Sequence, residues 1–145
     1  MRYSERLRVP VSWWLIATAG LATLWIAFAA ATGPVVTWTI SGVAAVLVVV
    51  VLLRYGAAQV TVDAGTLTAG RARIALDYLG TAEALTGEAA RTARGRECDP
   101  RAYLLLRPYL SAAVRVQLTD PADPAPYWLI ATRHPQRLAD AISTD

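Results

Sequence analysis

The longest apolar segment of the chain dominates its pattern of hydrophobic and polar positions. Residues 9–53 contain no charged side chain, and Gly33 and Pro34 stand near the middle of them. A bilayer's hydrocarbon core is about 30 Å thick, and a helix crosses it with roughly 20 apolar residues. Because unpaired backbone groups are costly in lipid, such a segment has to be helical. The pattern predicts two transmembrane helices, 11–31 and 34–53, in a hairpin spanning residues 11–54.

The ends of these helices have the residues typical of a membrane interface. Tryptophan and tyrosine are enriched at the level of the lipid headgroups, and arginine is enriched on the cytoplasmic side. Pro34 suits the first turn of the second helix, where its missing N–H is not needed. The residues predicted to lie at the interface are Arg6, Arg8, Trp13, Trp14, Trp38, Arg54 and Tyr55.

The positive charges near the hairpin also predict its orientation. Three arginines precede the first helix and Arg54 follows the second, whereas the turn between the helices carries no charge. Because positive flanks stay in the cytoplasm, we expect a two-pass protein of the plasma membrane with both termini cytoplasmic. Residues 1–10 are then a cytoplasmic tail, and residues 55–145 a cytoplasmic domain.

Two other interpretations of the apolar segment remain open at this point. Ala27-Phe28-Ala29 resembles a signal-peptide cleavage site, although the apolar run before it is longer than a usual signal core. Alternatively, both helices are buried in a soluble protein, but a domain this small has little surface with which to cover helices that are apolar on every face.

After Tyr55 the pattern changes to short alternating segments bounded by turn residues, which is typical of strands. We expect about seven antiparallel strands in one strongly bent sheet, with the apolar segment 102–107 as a central strand. A helix over residues 135–143, with an apolar stripe at Leu138, Ala141 and Ile142, is expected to cover the sheet edges. The order of these elements resembles the bacterial pleckstrin-homology-like barrels that follow pairs of membrane helices.

The basic character of the chain does not indicate nucleic-acid binding. Its net charge is +3 and its pI about 9.4. From residue 55 onward, arginines and acidic residues are equal in number, so the excess positive charge lies before the first helix and at Arg54. The charge therefore marks the two ends of the hairpin and predicts the lipid bilayer, not nucleic acid, as its partner.

The sequence contains little that points to catalysis. Cys98 is the only cysteine, which suits a reducing compartment, and its acidic neighbours Glu97 and Asp99 disfavour a thiolate. His134, the only histidine, precedes Pro135 and is expected to cap a helix or face solvent. Phosphate-binding, nucleophile and zinc motifs are missing from the sequence. We therefore expect no catalytic, cofactor-binding or metal-binding residue, and no enzyme activity.

Two groups of arginines in the predicted domain are candidates for contact with lipid or a partner. Arg71 and Arg73 share one face of a strand, and Arg91, Arg94 and Arg96 lie at the end of a short predicted helix. The simpler interpretation is a solvated face balanced by nearby glutamates. The functional interpretation is contact with anionic lipid headgroups, since each arginine near such a surface contributes about 1 kcal/mol.

Several stretches together carry a family resemblance. They are YSERLRVP at 3–10, VDAGTL at 62–67, GRAR at 70–73, DPRAYLLLRP at 99–108, TDPADP at 119–124, YWL at 127–129 and TR at 132–133. With them the chain resembles an actinobacterial family of small two-helix inner-membrane proteins classed as a domain of unknown function. The resemblance implies an inner-membrane protein without an established activity, and it supplies no catalytic residues.

The sequence leaves three functions open. The first is a membrane-tethered binding or scaffolding module that recruits a protein partner or forms a homo-oligomer. The second is a domain that engages anionic lipid through one of the arginine groups. The third is an enzyme acting on a substrate near the membrane, which would need acidic, histidine and arginine side chains converging in a deep pocket.

Overall fold

The computed structural model describes residues 2–143 in two compact units. The first unit, the helical hairpin, is Arg8–Ala57. The second, the β domain, combines the segment before Arg8 with the segment after Ala57. Residues 1, 144 and 145, which belong to the predicted tail and the predicted cytoplasmic domain, lie outside the described residues.

The hairpin consists of α1, Val11–Ala31, and α2, Pro34–Tyr55. Both helices are long and apolar enough to cross a membrane, and 21 residues at about 1.5 Å each correspond to roughly 32 Å. No residue of α1 is buried in the protein, and α2 buries only Thr37 and Leu52. Neither helix is therefore the core helix of a soluble domain within the described chain.

Three threonine side chains of the hairpin bond within their own helices, and two aromatic pairs join the helices. The hydroxyls of Thr18, Thr23 and Thr39 each donate to the carbonyl four residues earlier, at 2.9, 3.0 and 2.8 Å. Such bonds satisfy these three hydroxyls within the helix itself. Two aromatic pairs join the helices: Trp13 stacks on Tyr55 at 6.2 Å, and Trp25 meets Trp38 edge-on at 5.8 Å.

Sheet 1 of the β domain contains four antiparallel strands in the order β1-β2-β3-β4. They are β1 Tyr3–Arg6, β2 Gln59–Asp63, β3 Thr66–Ala69 and β4 Ala72–Ala75. The strand β1 comes from the segment predicted as a tail. It pairs with β2, although the whole hairpin lies between the two strands in sequence. Tyr3 is opposite Val62 and Arg6 is opposite Gln59. A short 3₁₀ turn, Leu76–Tyr78, leads out of β4.

Sheet 2 contains β5 Leu79–Leu85, β6 Tyr103–Leu105, β7 Ala113–Leu118 and β8 Tyr127–Ala131. Its order is β5-β7-β8-β6, and β6 runs parallel to β8. The expected barrel of about seven antiparallel strands is therefore wrong. The described residues form eight strands in two separate sheets, one pair is parallel, and the segment expected to be central is an edge strand. The count differs because β1 is supplied by the N-terminal segment.

A single core joins the two sheets. It contains Val60, Val62 and Leu67 from sheet 1 and Val116, Trp128 and Ile130 from sheet 2.

Each of the remaining helices packs through small or aliphatic residues. The predicted C-terminal helix is present as α4, Pro135–Ser143, which buries Leu138 and Ile142 and contacts β5 and β1, an edge strand of each sheet. The helix α3, Gly87–Arg94, packs on the other face of sheet 2 through Ala90 and Ala93.

Candidate functional site

The most concentrated polar arrangement in the β domain surrounds Glu5. We define the Glu5 cluster as Tyr3 and Glu5 from β1, with Thr132 and Arg133 directly after β8. Glu5 is only 9% exposed, although it is a charged residue. Its carboxylate accepts hydrogen bonds from the Tyr3 hydroxyl at 2.6 Å, the Thr132 hydroxyl at 2.5 Å and the backbone N–H of Arg133 at 3.1 Å. Because a buried charge is costly unless paired, these donors are what permit a carboxylate at this position.

Arg133 completes the cluster with its side chain. Its Nη1 lies 3.4 Å from Glu5 Oε1 and 3.3 Å from the backbone oxygen of Arg6. The Thr132 oxygen also accepts the backbone N–H of His134 at 3.0 Å. These bonds connect the strand that precedes α1 with the segment that precedes α4, at opposite ends of the chain.

The proton positions in the cluster follow from counting donors. Tyr3 and Thr132 each have one hydroxyl hydrogen, and both hydroxyls lie within bonding distance of Glu5 Oε2. When both hydrogens point to the carboxylate, the 2.9 Å contact between the two hydroxyl oxygens is not a further hydrogen bond. The arrangement therefore suits an ionised Glu5 that accepts every available hydrogen.

The pKa values of the cluster agree with an ionised Glu5. Burial alone would raise the pKa of Glu5, but the hydrogen bonds from Thr132, Tyr3 and the Arg133 backbone, together with the Arg133 charge, outweigh it and lower the pKa. Burial, followed by the hydrogen bond to Glu5, raises the pKa of Tyr3 to about 12. A carboxylate whose pKa lies below its ordinary range and a phenol whose pKa lies above its own are both poorly matched to proton transfer near neutral pH. The cluster is suited to holding strands together.

Sequence reasoning did not find this cluster. A glutamate on the inward face of β1 breaks the apolar alternation by which a strand is recognised, and β1 has no neighbouring turn or partner strand in sequence. Thr132 ends a predicted strand and Arg133 follows it, and neither position suggests a partner near the N-terminus. No local spacing connects positions 127 residues apart, as Glu5 and Thr132 are.

Of the candidate arginines, Arg94 is directed into the domain. It donates from Nη1 to the carbonyl of Leu110 at 2.6 Å and from Nη2 to that of Ala112 at 2.8 Å. Burial lowers the pKa of its guanidinium. These contacts fix the loop between β6 and β7 against the end of α3, so Arg94 is committed to the fold.

The other four candidate arginines are exposed. Arg91 lies 3.8 Å from Glu88, but both side chains are more than three-quarters solvent-accessible, at 83% and 76%, so the pair contributes little. Arg96 follows the end of α3. Arg71 and Arg73 lie at the beginning of β4 in sheet 1, whereas α3 packs on sheet 2. The structure does not bring the two groups into one cluster.

The residues predicted at the membrane interface lie at or near helix ends. Trp13 and Trp14 are in the first turn of α1, Arg54 and Tyr55 are in the last turn of α2, and Trp38 is in the second turn of α2. Arg8 precedes α1, whereas Arg6 ends β1 and thus belongs to the β domain.

Another polar group links α3 to sheet 2. Arg115 on β7 lies 2.7 Å from Glu83 and 3.8 Å from Glu97. The Tyr127 hydroxyl accepts the N–H of Asp99 at 2.8 Å and donates to the carbonyl of Glu97 at 3.1 Å. This network positions the loop after α3, which contains the partly exposed Cys98, and it contains no convergent acid–histidine pair.

Within residues 2–143, no three histidine, cysteine or acidic side chains are grouped closely enough to hold a metal ion. His134 is exposed, and its backbone N–H is capped by Thr132.

Comparison with known proteins identifies the chain at the level of family. No curated protein and no solved structure matches it. One family model matches residues 2–142, a range that includes the β1 strand, both apolar helices and the rest of the β domain. The chain belongs to this family, DUF3093, which is described as a protein of unknown function.

Proposed function

We propose that this protein is a two-pass protein of the plasma membrane whose β domain is a cytoplasmic binding or scaffolding module without catalytic activity. The observation that carries the proposal is the pairing of β1 with β2. The strand before α1 and the strand after α2 are hydrogen-bonded neighbours in one sheet. Both ends of the hairpin must therefore be on the same side of any membrane that the hairpin enters.

The same pairing argues against removal of α1 as a signal peptide. Cleavage after Ala29 would release β1 and with it Tyr3, Glu5 and Leu7, all of which are buried in the β domain. Cleavage would leave Thr132 and Arg133 without the carboxylate that they bind. An uncleaved α1 is the simpler interpretation.

The distribution of charge supports a cytoplasmic β domain. Arg8 and Arg54 flank the open end of the hairpin, whereas the turn at Thr32 and Gly33 carries no charge. Positive flanks are retained in the cytoplasm. The proposal of a noncatalytic role is supported by the Glu5 cluster, which is closed and engaged in strand pairing.

Reporter fusions test the placement. A fluorescent protein fused to the C-terminus of the full chain should fluoresce, and alkaline phosphatase at the same position should be inactive. Phosphatase inserted between Thr32 and Gly33, in the turn between the helices, should be active. An active C-terminal phosphatase would contradict the proposed topology.

Crosslinking in intact membranes tests the binding role. We expect the full-length protein to yield one reproducible crosslinked species, either a homo-oligomer or a complex with a second protein. A tagged chain that keeps residues 1–57 but lacks the segment from Ala58 onward is the control, because it retains the hairpin without the β domain. Recovery of monomer only, or of the same species with the control, would contradict a binding role for the β domain.

A further inference from the structure

The exposed charges of sheet 1 are separated along its strands. Arg6 ends β1 opposite Gln59, and Gly70 donates its N–H to the Gln59 carbonyl at 2.8 Å, which places Arg71 at the same end of the sheet. At the other end, Asp63 lies opposite Thr66, and Asp77 follows the end of β4. Arg2 is the basic residue at that acidic end, since its N–H donates to Val62.

The outward face of sheet 1 is rich in groups that bind phosphate. Ser4, Thr61, Thr68 and Arg73 are successive partners across the four strands, and their neighbours along the strands are buried in β1, β2 and β3 and partly buried in β4. This row therefore presents three hydroxyls and a guanidinium to the outside. Residues 6–62 and 64–76 contain no acidic side chain at all. The acidic residues nearest to these arginines in sequence are Glu5, which is buried and accepts hydrogen bonds within its own cluster, and Asp77, which follows the other end of β4.

Few residues connect the basic end of sheet 1 with the two helices of the hairpin. Arg6 precedes Val11 by five positions, and Gln59 follows Tyr55 by four. This end is where the chain leaves sheet 1 for α1 and returns from α2. An anionic leaflet acts on positive charge over about one Debye length, or roughly 8 Å at physiological ionic strength.

We propose that Arg6 on β1 and Arg71 and Arg73 at β4, together the basic surface of sheet 1, bind the phosphate groups of anionic lipids in the leaflet that the β domain faces. The inference rests on the proposed membrane anchoring and adds the lipid class and the residues that contact it. It selects between the two arginine groups of the sequence. Arg94 is committed to carbonyl groups inside the domain, and Arg91 and Arg96 lie in and just after α3, outside sheet 1.

Native mass spectrometry of the full-length protein in neutral detergent tests lipid binding by the basic surface. The protein is titrated with phosphatidylglycerol and, separately, with phosphatidylcholine. We expect preferential binding of phosphatidylglycerol, and we expect the triple variant R6Q/R71Q/R73Q to lose on the order of a hundredfold in affinity, since each arginine contributes about one kcal/mol and 1.4 kcal/mol is tenfold. The matched control R91Q/R96Q/R101Q removes the same charge from exposed positions outside sheet 1 and should bind like the unmodified protein.

The outcomes distinguish a lipid headgroup from a free phosphate ester, and they distinguish lipid binding from membrane anchoring. Glycerol 1-phosphate at equal concentration should not displace the lipid, and full displacement would overturn the assignment to a membrane lipid. Equal losses in both triple variants, or equal binding of the two lipids, would overturn the basic surface as the lipid-binding site. If the protein still remains in the membrane fraction, the proposed anchoring stands. Recovery of the full-length protein in the supernatant without detergent would instead overturn the anchoring.

Discussion

Replacing residues 8–57 by the dipeptide Asn-Gly is expected to convert this protein into a folded, water-soluble β domain. Leu7 donates its N–H to the carbonyl of Ala58 at 2.9 Å, and these two residues continue the antiparallel register of β1 and β2. They therefore already have the positions that flank a two-residue turn, and Asn-Gly is the dipeptide that favours the type I′ turn. The change removes both helices that are long enough to cross a membrane.

The expected measurement is a complete shift of the protein from the membrane pellet to the supernatant after ultracentrifugation, with cooperative thermal unfolding of the soluble product. A second chain that begins at Ala58 is the matched control. It is also without the hairpin, but it lacks β1 and therefore Tyr3, Glu5 and Leu7, which are 5%, 9% and 0% exposed.

The control chain is expected to aggregate. Truncation of one buried leucine costs about 2–5 kcal/mol, and a typical domain is stable by only about 5–15 kcal/mol. Loss of an entire edge strand therefore removes a large part of the stability. A soluble, cooperatively folding control chain would show that β1 is dispensable. A linked domain that aggregates would show that the hairpin is needed for folding and not only for anchoring.

The hairpin was accessible to sequence reasoning because its physical cause is local. A helix in lipid requires only a continuous apolar segment, and residues 9–53 provide one with Gly33 and Pro34 in the middle. The C-terminal helix was accessible for a similar reason, since Leu138 and Ile142 share one helical face and both are buried.

The sheet arrangement was less accessible because its determinants are distant in sequence. Alternation identified most strands, but it does not specify which strands are neighbours. β1 pairs with β2 across 52 intervening residues, as Arg6 and Gln59 show, and β6 joins β8 in parallel although β7 lies between them in sequence. Side-chain bonds such as that from the Tyr103 hydroxyl to the Ala69 carbonyl, at 2.8 Å, connect the two sheets.

The candidate arginines show the same difference between features with local causes and features that depend on distant residues. Exposure of Arg71 and Arg73 follows from the alternation of β4, which the sequence displays. The role of Arg94 does not, because the carbonyls of Leu110 and Ala112 that it binds lie in a loop more than fifteen residues away. Arginines that are close together in sequence and carry the same charge therefore do not share one role.

Replacing Glu5 is expected to produce a large loss of stability of the β domain, and the loss should depend on pH. Glu5→Ala leaves Arg133 without its carboxylate partner and opens a cavity beside β1. Removing one partner of a buried hydrogen-bonded charge pair costs about 3–5 kcal/mol. Since Arg133 is partly exposed, with 38% of its side-chain area accessible, we expect a value near the lower end, about 3 kcal/mol. Glu5→Gln keeps the shape and should lose roughly half as much.

The sign of the pH dependence follows from the lowered pKa of Glu5. The folded state favours the ionised carboxylate, so its contribution is fully present above the pKa of the unfolded chain, ordinarily 4.5. It is lost as the pH falls below that value and through the folded pKa. The difference in unfolding free energy between the unmodified protein and Glu5→Gln should therefore be constant near neutral pH and shrink in acid.

Urea denaturation of the Asn-Gly-linked domain, followed by near-ultraviolet circular dichroism from neutral pH to about pH 3.5, measures this difference. The signal reports directly on the core, because the rings of Tyr103 and Trp128 are 4.7 Å apart between their centres. Glu88→Gln, at a position whose side chain is 76% exposed, is the control and should change the unfolding free energy by less than about 1 kcal/mol. A Glu5→Gln domain as stable as the unmodified one at neutral pH would contradict the structural role of the cluster. A difference that does not shrink in acid would contradict an ionised Glu5.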